Sequence, residues 1–251
     1  IHFTYPKSKV PAIKNLNLEI KKRETIGIVG PSGSGKTTLV DLLLGLLDPD
    51  AGQILIDGTE IQKDVFSYQK LVGYIPQNIY VLDDTLRRNI AFAVPDEMID
   101  ENKLNHAIQL SQLEKFSHDL ENKLETVLGN QGVRLSGGEL QRIGIARAIY
   151  HDPEVLIMDE ATSSLDNQTE YEVSQAIDQF SKSRTLLIIA HRLSTVYKCE
   201  RIVYMNNGEI AGIGGFEQLI SQNADFQRQV ELGSIFLKNS QHKKNRSGIL
   251  P

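Results

Sequence analysis

The sequence predicts an α/β protein with a parallel-sheet core, a small antiparallel β layer near the start of the chain and a helical insertion in the middle. Short apolar runs that end in polar or acidic residues recur along the chain, which is typical of buried parallel strands. A segment with apolar residues at helical spacing separates two groups of these runs. The chain has 251 residues, of which 40% are hydrophobic, so one large domain can bury a sizeable core.

The first part of the chain is predicted to form the β layer and the first core elements. Apolar and polar residues alternate where half-buried strands are expected, and β-branched runs indicate fully buried strands. Strands are predicted at residues 2–5, 16–20, 25–29, 53–58 and 72–77, and a helix at residues 38–47. Asp57-Gly58 ends the fourth of these strands in a turn.

The rest of the chain combines the helical insertion with the second half of the core. Helices are predicted at residues 86–92, 100–120, 140–150, 216–220 and 226–232. Buried strands are predicted at residues 155–158 and 186–190, and a hairpin at residues 202–211 with its turn at Asn206-Asn207-Gly208. The basic end of the chain is expected to be a solvated, disordered tail.

Composition excludes several classes of protein. The formal net charge is −5, so no basic field favours nucleic acid or an anionic membrane surface. A single cysteine, Cys199, rules out an internal disulfide and fits a reducing compartment. No apolar run approaches the roughly eighteen residues of a membrane span, and no signal peptide opens the chain. Because the first residue is Ile1, we expect an excised domain, with any membrane spans in the missing part.

Residues 30–38, GPSGSGKTT, fit a phosphate-binding loop, and we call them the phosphate loop. Glycines let backbone N–H groups turn inward to form an anion nest, and the following helix adds the positive end of its dipole. Lys36 would reach the β and γ phosphates, and the Thr37 hydroxyl would ligate Mg²⁺. A glycine-rich turn without a ligand is the alternative, and the flanking strand and helix argue against it. The predicted nucleotide contacts in this loop are Gly30, Ser32, Gly33, Ser34, Gly35, Lys36, Thr37 and Thr38.

Polar residues that follow the buried strands suggest hydrolysis in addition to binding. Asp159 could hold a hydrated Mg²⁺, and the adjacent Glu160 could orient or deprotonate the attacking water. A solvated strand end is the alternative, which the phosphate loop in the same chain makes less favourable. Gln77 and His191 also follow strands, although a lone glutamine or histidine in such a place is usually an ordinary polar residue.

Taken together, these motifs resemble the nucleotide-binding domain of an ABC transporter. The resemblance rests on their order and spacing from residue 3 to about residue 232. Its most specific part is a second glycine turn, LSGGE at residues 135–139, which opens a helix ahead of the acidic strand; we call it the signature segment. The matching motifs are GPSGSGKT at 30–37, Gln77, LSGGE at 135–139, LIMDE at 156–160, SSLD at 163–166 and His191.

The resemblance implies an ATPase with a P-loop NTPase (RecA-like) fold that uses ATP and Mg²⁺. It implies one nucleotide-binding domain at residues 1–238, in which residues 1–78 and 152–238 form the core and β subdomain. Residues 79–151 would form the helical subdomain, and residues 239–251 a disordered tail.

The resemblance also implies roles within one chain. Tyr5 would stack on adenine, although an ordinary strand aromatic is nearly as good an explanation. Glu160 would be the catalytic carboxylate, and His191 would contact the γ-phosphate. The metal would be held by Thr37, by Asp159 through water, and by Gln77, which would also couple to a transmembrane domain.

Other roles require a second chain. In this family two domains dimerise head to tail, so Ser136, Gly137 and Gly138 of one chain would cover the ATP held by the other. Asp166 would lie at the seam. A second helix N-terminus adds donors for the charge that develops on the phosphate. The resemblance therefore implies two partners, a second nucleotide-binding domain and a transmembrane domain, fused or separate, at the cytoplasmic face of the membrane.

Two stretches are similar to exporter-type domains, namely residues 84–92 and the loop at residues 126–132. Exporters usually have Glu-Arg where this chain has Asn130-Gln131, and the signature segment ends in Glu139 instead of the usual Gln. We expect Glu139 to be tolerated because the phosphate-facing groups precede it. The segments GVRLSGGE, QRIGIARAIYHDPE and SSLDNQTE most resemble bacterial lipid-linked oligosaccharide flippases and related lipid exporters.

Several alternatives stay open at this point. The chain could be a soluble ABC-type ATPase of DNA repair or translation, but it has no long coiled coil between the two glycine motifs and no tandem domain. It could be the ATPase subunit of an importer. A GTPase or small-molecule kinase would leave the signature segment unexplained. A degenerate, non-hydrolysing domain is disfavoured by intact Lys36, Asp159, Glu160 and His191.

Overall fold

The computed structural model describes residues 1–129, 132–159, 167–190 and 193–232. Within these residues the strands are β1 (Thr25–Val29), β2 (Leu55–Ile56), β3 (Thr59–Glu60), β4 (Val72–Ile75), β5 (Val155–Asp159), β6 (Thr185–Ile189), β7 (Arg201–Asn206) and β8 (Glu209–Gly214). The helices are α1 (Lys36–Leu43), α2 (Val65–Gln69), α3 (Leu86–Ile90), α4 (Glu101–Leu110), α5 (Glu114–Asp119), α6 (Gly137–Tyr150), α7 (Asn167–Ser181), α8 (Leu193–Val196), α9 (Phe216–Gln222) and α10 (residues 224–232). Short 3₁₀ helices cover Ile61–Lys63, Asp96–Met98 and Lys123–Glu125.

A six-stranded sheet with the order β4-β5-β6-β1-β7-β8 confirms the predicted α/β class. The pairs β1–β7 and β4–β5 are parallel, whereas β7–β8 is an antiparallel hairpin. Strands β2 and β3 form a separate two-stranded sheet. The central strands are mainly apolar with polar residues at their ends, because parallel sheets are covered on both faces.

The chain divides into two compact units. The first consists of Ile1–Ile20, Thr25–Leu55 and Ile188–Pro251. One of its hydrophobic clusters includes Val29, Val196, Cys199, Tyr204 and Phe226, all of them buried. Cys199 is therefore an ordinary core side chain. This core fixes the end of β1, from which the phosphate loop departs.

The second unit consists of Lys21–Glu24 and Ile56–Leu187. In it α6 contacts α3, α4 and β4. A Cβ at Gly144 of α6 would lie 2.3 Å from Ile79 Cδ1, so the glycine lets the helix pack closely on the segment after β4. Helix α6 is thus held along its length by the helical part of this unit.

Two sequence predictions about elements were wrong. No strand forms at residues 16–20, although Leu16 exchanges two backbone hydrogen bonds with Ile1. Residues 2–5 contribute only single bridges, between His2 and Ala51 and between Phe3 and Ile13. The alternation of apolar and polar residues reflects which side chains are buried. The backbone does not form the continuous hydrogen bonds of a strand. The described antiparallel layer is consequently smaller than predicted.

Other predicted elements are present with shifted ends, the helical block predicted at residues 100–120 consists of the two helices α4 and α5, and one long helix was missed. Helix α1 ends at Leu43, four residues before the predicted end. Helix α7 was not predicted, although Val173, Ile177 and Ser181 are buried at helical spacing on one face. Among the described residues, no helix combines the length and apolar character needed to cross a membrane.

Candidate functional site

The phosphate loop connects β1 to α1 in the first unit. Gly35 is the N-cap of α1 with a φ of 99°, and as a glycine it has no side chain to cap the helix. A Cβ at residue 35 would lie 2.7 Å from the Ala12 carbonyl oxygen, so only glycine fits there. A Cβ at Gly33 would meet nothing within 4 Å. The loop is therefore packed on one side and open on another, as a cradle for an anion requires.

Two polar side chains in the loop fit a phosphate ligand. Lys36 is 5% exposed, and its Nζ donates to the carbonyl oxygens of Gly30 at 2.8 Å and Pro31 at 3.0 Å. Ser34 is 2% exposed, and its Oγ has no hydrogen-bond partner among the described residues. A buried hydroxyl without a partner is costly unless a ligand satisfies it. The donor set therefore suits the phosphates of a nucleotide.

Thr37 and Thr38 are in the first turn of α1, and Tyr5 contacts Thr38 from outside the helix. The Thr37 side chain is exposed and thus accessible to a metal ion, whereas Thr38 is buried. Tyr5 is 40% exposed, its hydroxyl oxygen is 3.2 Å from Thr38 Oγ1, and its ring packs edge-on against Phe3 with a centroid distance of 5.0 Å. An exposed aromatic face held beside the phosphate loop is suitable for stacking on a base.

The signature segment lies in the second unit, at the start of α6. Ser136 is the N-cap and forms a capping box with Glu139. The Ser136 backbone N–H and hydroxyl donate to Glu139 Oε2 at 2.7 Å and 2.8 Å, and the Glu139 N–H donates to Ser136 Oγ at 3.3 Å. Ser136 and Gly137 are exposed, so a second chain can reach them. Glu139, which replaces the usual glutamine, thus has a local role, because its carboxylate accepts hydrogen bonds from Ser136.

We expect Glu139→Gln to lower the free energy of unfolding by less than about 1 kcal/mol, because glutamine preserves a capping box and only a favourable charge near the helix start is lost. Thermal unfolding measures this, with Glu231→Gln on α10 as an exposed control. A loss of several kcal/mol would show that the carboxylate makes a contact which glutamine cannot replace.

The far end of α6 is fixed to the segment that follows Gln77. Arg147 donates from Nε to the Asn89 carbonyl oxygen at 2.8 Å and from Nη1 to the Tyr80 carbonyl oxygen at 2.9 Å. Its guanidinium lies 5.0 Å from the centre of the Phe92 ring, and burial lowers its pKa from the usual value. Asn89 is fully buried and in turn holds the backbone of Leu82. The signature helix and this segment therefore form one hydrogen-bonded assembly.

The structure describes most but not all of the predicted site residues. Tyr5 and the phosphate loop come together in the first unit, whereas Gln77, Asp159 and residues 136–138 belong to the second. Gln77 is exposed just beyond β4, and Asp159 is the last residue of β5. Glu160, Asp166, His191 and Asn130-Gln131 lie outside the described residues. Sequence reasoning missed one neighbour of the loop, the turn at Asn207-Gly208, whose Gly208 N–H donates to the Ser34 carbonyl oxygen at 3.0 Å.

The parallel sheet and the glycine-rich loop between β1 and α1 define a P-loop nucleotide-binding domain. The family model described as ABC transporter matches residues 13–163. The chain therefore belongs to the ABC transporter family and is its ATP-binding, ATP-hydrolysing domain, which confirms the resemblance drawn from the motifs.

The chain is similar to lipid A-core flippases and to an ABC exporter of known structure. The ATP-dependent lipid A-core flippase of Salmonella typhimurium is 40% identical over 224 residues, which are 89% of this chain and 38% of that protein. The protein of the same name from Escherichia coli is 41% identical over 221 residues, or 88% of this chain and 38% of the relative. The solved structure of a bacterial Atm1-family ABC exporter with ATP bound has a TM-score of 0.86 and 31% identity, over 92% of this chain and 40% of that chain. This chain thus spans about two fifths of the length of these relatives.

Proposed function

We propose that this domain powers an ABC exporter or flippase by binding ATP with Mg²⁺, pairing head to tail with a second copy of the domain, and hydrolysing ATP in the pair. The phosphate loop is the observation that carries the proposal. It combines a buried lysine, an unpaired buried serine hydroxyl and a packed glycine at the helix start. Similarity to flippase and exporter domains supports the transport role.

Within one chain, Lys36 would release the carbonyl oxygens of Gly30 and Pro31 and turn to the β and γ phosphates. The exchange is favourable because a charged phosphate oxygen is a stronger acceptor than a carbonyl oxygen. Thr37, Gln77 and Asp159 would hold Mg²⁺, which when bound neutralises charge on the phosphates. The remaining phosphate contacts would be Gly30, Ser32, Gly33, Ser34, Gly35 and Thr38, with Tyr5 on the adenine.

Hydrolysis would depend on Glu160 and His191. Glu160 would accept a proton from the attacking water, and His191 would contact the γ-phosphate. The role of Glu160 is based on the motif LIMDE, which it ends. The role of His191 is based on its place directly after the strand predicted at residues 186–190. Neither residue is needed for the first contact with ATP, so binding and hydrolysis are separable.

Closure of the pair would bring the signature segment of one copy over the ATP of the other. Exposed Ser136 and Gly137 at the start of a 14-residue helix support this role, because such a terminus stabilises negative charge. Gly138 and Asp166 would complete the seam. ATP binding would then be converted into closure, and hydrolysis would reopen the pair.

The similar proteins support proposals for the membrane partner and for the cargo. We propose that a transmembrane domain, fused or separate, joins this domain at the cytoplasmic face of the membrane. A lipid or lipid-linked sugar is the favoured class of cargo, because two of the three named relatives are lipid A-core flippases. Residues 1–78 and 152–238 would be the core and β subdomain, residues 79–151 the helical subdomain and residues 239–251 a tail.

Ser136→Arg tests closure. A side chain that does not fit the seam costs about 1–3 kcal/mol, which lowers the population of the closed pair by roughly fivefold to 150-fold. ATP hydrolysis should fall in proportion, whereas ATP binding to the open form should remain. Calorimetry with ATP and a steady-state ATPase assay measure the two effects. Ser221→Arg, at an exposed position on α9, is the matched control. Loss of ATP binding in Ser136→Arg, or hydrolysis equal to the control, would reject the role in the partner's site.

A further inference from the structure

The hairpin turn between β7 and β8 lies directly behind the phosphate loop. We propose that this turn, residues 206–209, is a positioning element that holds the loop in its ATP-binding conformation. The proposal rests on the proposed role of residues 30–38 in holding phosphates. It assigns a function in nucleotide binding to a segment outside the predicted nucleotide contacts.

The end of β7 and the turn contact the loop at two positions, Gly30 and Ser34. Strand β7 runs parallel to β1, with Val29 paired to Tyr204, so Gly30 emerges beside Met205. A Cβ at Gly30 would lie 2.2 Å from the Met205 carbonyl oxygen, which shows how closely the two backbones approach. Further along the loop, the Gly208 N–H of the turn donates to the Ser34 carbonyl oxygen at 3.0 Å. The loop is therefore fixed by backbone contacts before and after its open centre.

A third segment closes the arrangement. The Lys14 N–H donates to the Gly208 carbonyl oxygen at 2.8 Å. The Ala12 carbonyl oxygen lies between two glycines, because a Cβ would come within 2.6 Å of it at Gly208 and within 2.7 Å at Gly35. Three backbone segments thus approach one another closely at two residues that carry no side chain, Gly35 and Gly208. We call this arrangement, formed by Ala12, Gly35 and Gly208, the glycine junction.

Ala12 cannot move aside easily. Its N–H donates to the Phe3 carbonyl oxygen at 2.9 Å, and the Phe3 N–H donates to the Ile13 carbonyl oxygen at 3.0 Å. Ile13 is fully buried and Phe3 is 6% exposed. A side chain added at residue 208 would therefore push the turn, and with it Ser34 and Gly35, away from Ala12. A displacement of this kind changes the direction of the N–H groups that would face the phosphates.

The chain contains a matched control for backbone strain. Asn207 and Gly208 have φ values of 49° and 81°, and Asp57 and Gly58 in the β2–β3 turn have φ values of 47° and 80°. Both pairs have the positive φ that a type I′ turn requires at its two central residues. A Cβ at Gly58 would meet nothing within 4 Å. Alanine at either position introduces the same left-handed strain. Only Gly208→Ala also brings a methyl group against the Ala12 carbonyl oxygen.

The experiment compares Gly208→Ala, Gly58→Ala and Lys36→Ala in the natural full-length protein, with ATP and Mg²⁺ as the probe. Gly208→Ala should raise the Kd for ATP by roughly tenfold to a hundredfold over Gly58→Ala, the scale expected when a distant change misplaces a binding group. The KM for ATP should rise while kcat at saturating ATP stays close to that of Gly58→Ala, since ground-state binding is affected. Equal Kd values for the two glycine variants would overturn the role of the turn. ATP binding by Lys36→Ala as tight as in the parent would instead overturn the proposed role of the phosphate loop.

Amide hydrogen exchange on the unaltered protein provides a second measurement that does not depend on folding of a variant. If the turn and the loop act as one unit, saturating ATP should slow exchange at residues 206–209 together with residues 30–38. The β2–β3 turn should not change. Slower exchange confined to the phosphate loop would contradict the proposal.

Discussion

Lys36→Ala is expected to lower ATP hydrolysis by about a hundredfold to a thousandfold, the usual effect of removing one donor to the developing charge, and to weaken ATP binding. Lys36 carries a positive charge, and its Nζ donates to the carbonyl oxygens of Gly30 and Pro31 in the structure. Calorimetric titration with ATP and a steady-state ATPase assay measure the two effects.

The control for charge is Lys103→Ala, which removes an exposed lysine from α4. Because Lys36 is buried, thermal unfolding of both variants must accompany the assays, so that loss of binding is not confused with loss of the fold. A folded Lys36→Ala protein that hydrolyses ATP at the parent rate would rule out the phosphate loop as the nucleotide site.

Local pattern was sufficient to predict the elements that frame this loop. The buried run at β1 and the glycine motif before α1 are encoded by adjacent residues, and the structure has both. The start of α6 is similar, because Ser136 and Glu139 satisfy each other across one helical turn. Where a structure is determined by neighbours in the chain, the residues are enough to predict it.

Predictions failed where pairing or packing between distant segments decides the outcome. Residues 16–20 alternate like a strand, but a strand needs a partner along its whole length, which periodicity cannot supply. The glycine junction also depends on contacts between segments that are distant in the chain. Each of its glycines was visible in the sequence, yet nothing there indicated that Gly35 and Gly208 would meet the same Ala12 carbonyl oxygen.

The coupling of α6 to the segment after Gln77 also depends on distant contacts. The sequence places Arg147 in the predicted helix at residues 140–150 and Asn89 in the predicted helix at residues 86–92, with no sign of a contact between them. In the structure they join through hydrogen bonds of 2.8 Å and 3.3 Å. A displacement of the Gln77 segment can therefore reach Ser136 through a single helix, which gives the proposed coupling to a membrane partner a physical route.

Glu160→Gln is expected to slow hydrolysis by about a hundredfold to ten-thousandfold, the range that a general base contributes, while ATP binding remains. Glutamine keeps the size of the side chain and cannot accept the proton of the attacking water. The bound ATP then persists, and the head-to-tail pair should accumulate. ATPase assays, ATP titration and sedimentation in the presence of ATP measure these three effects.

Two further variants make the test specific. Glu154→Gln alters an exposed carboxylate just before the other end of β5 and should behave as the parent does. Adding Ser136→Arg to Glu160→Gln should return the trapped pair to single domains that still bind ATP, because the arginine blocks the seam and leaves the phosphate loop intact. If Glu160→Gln hydrolysed ATP at the parent rate, another group would have to accept the proton. If it lost ATP binding along with hydrolysis, its carboxylate would be part of the nucleotide cradle, and binding and hydrolysis would not be separable in this domain.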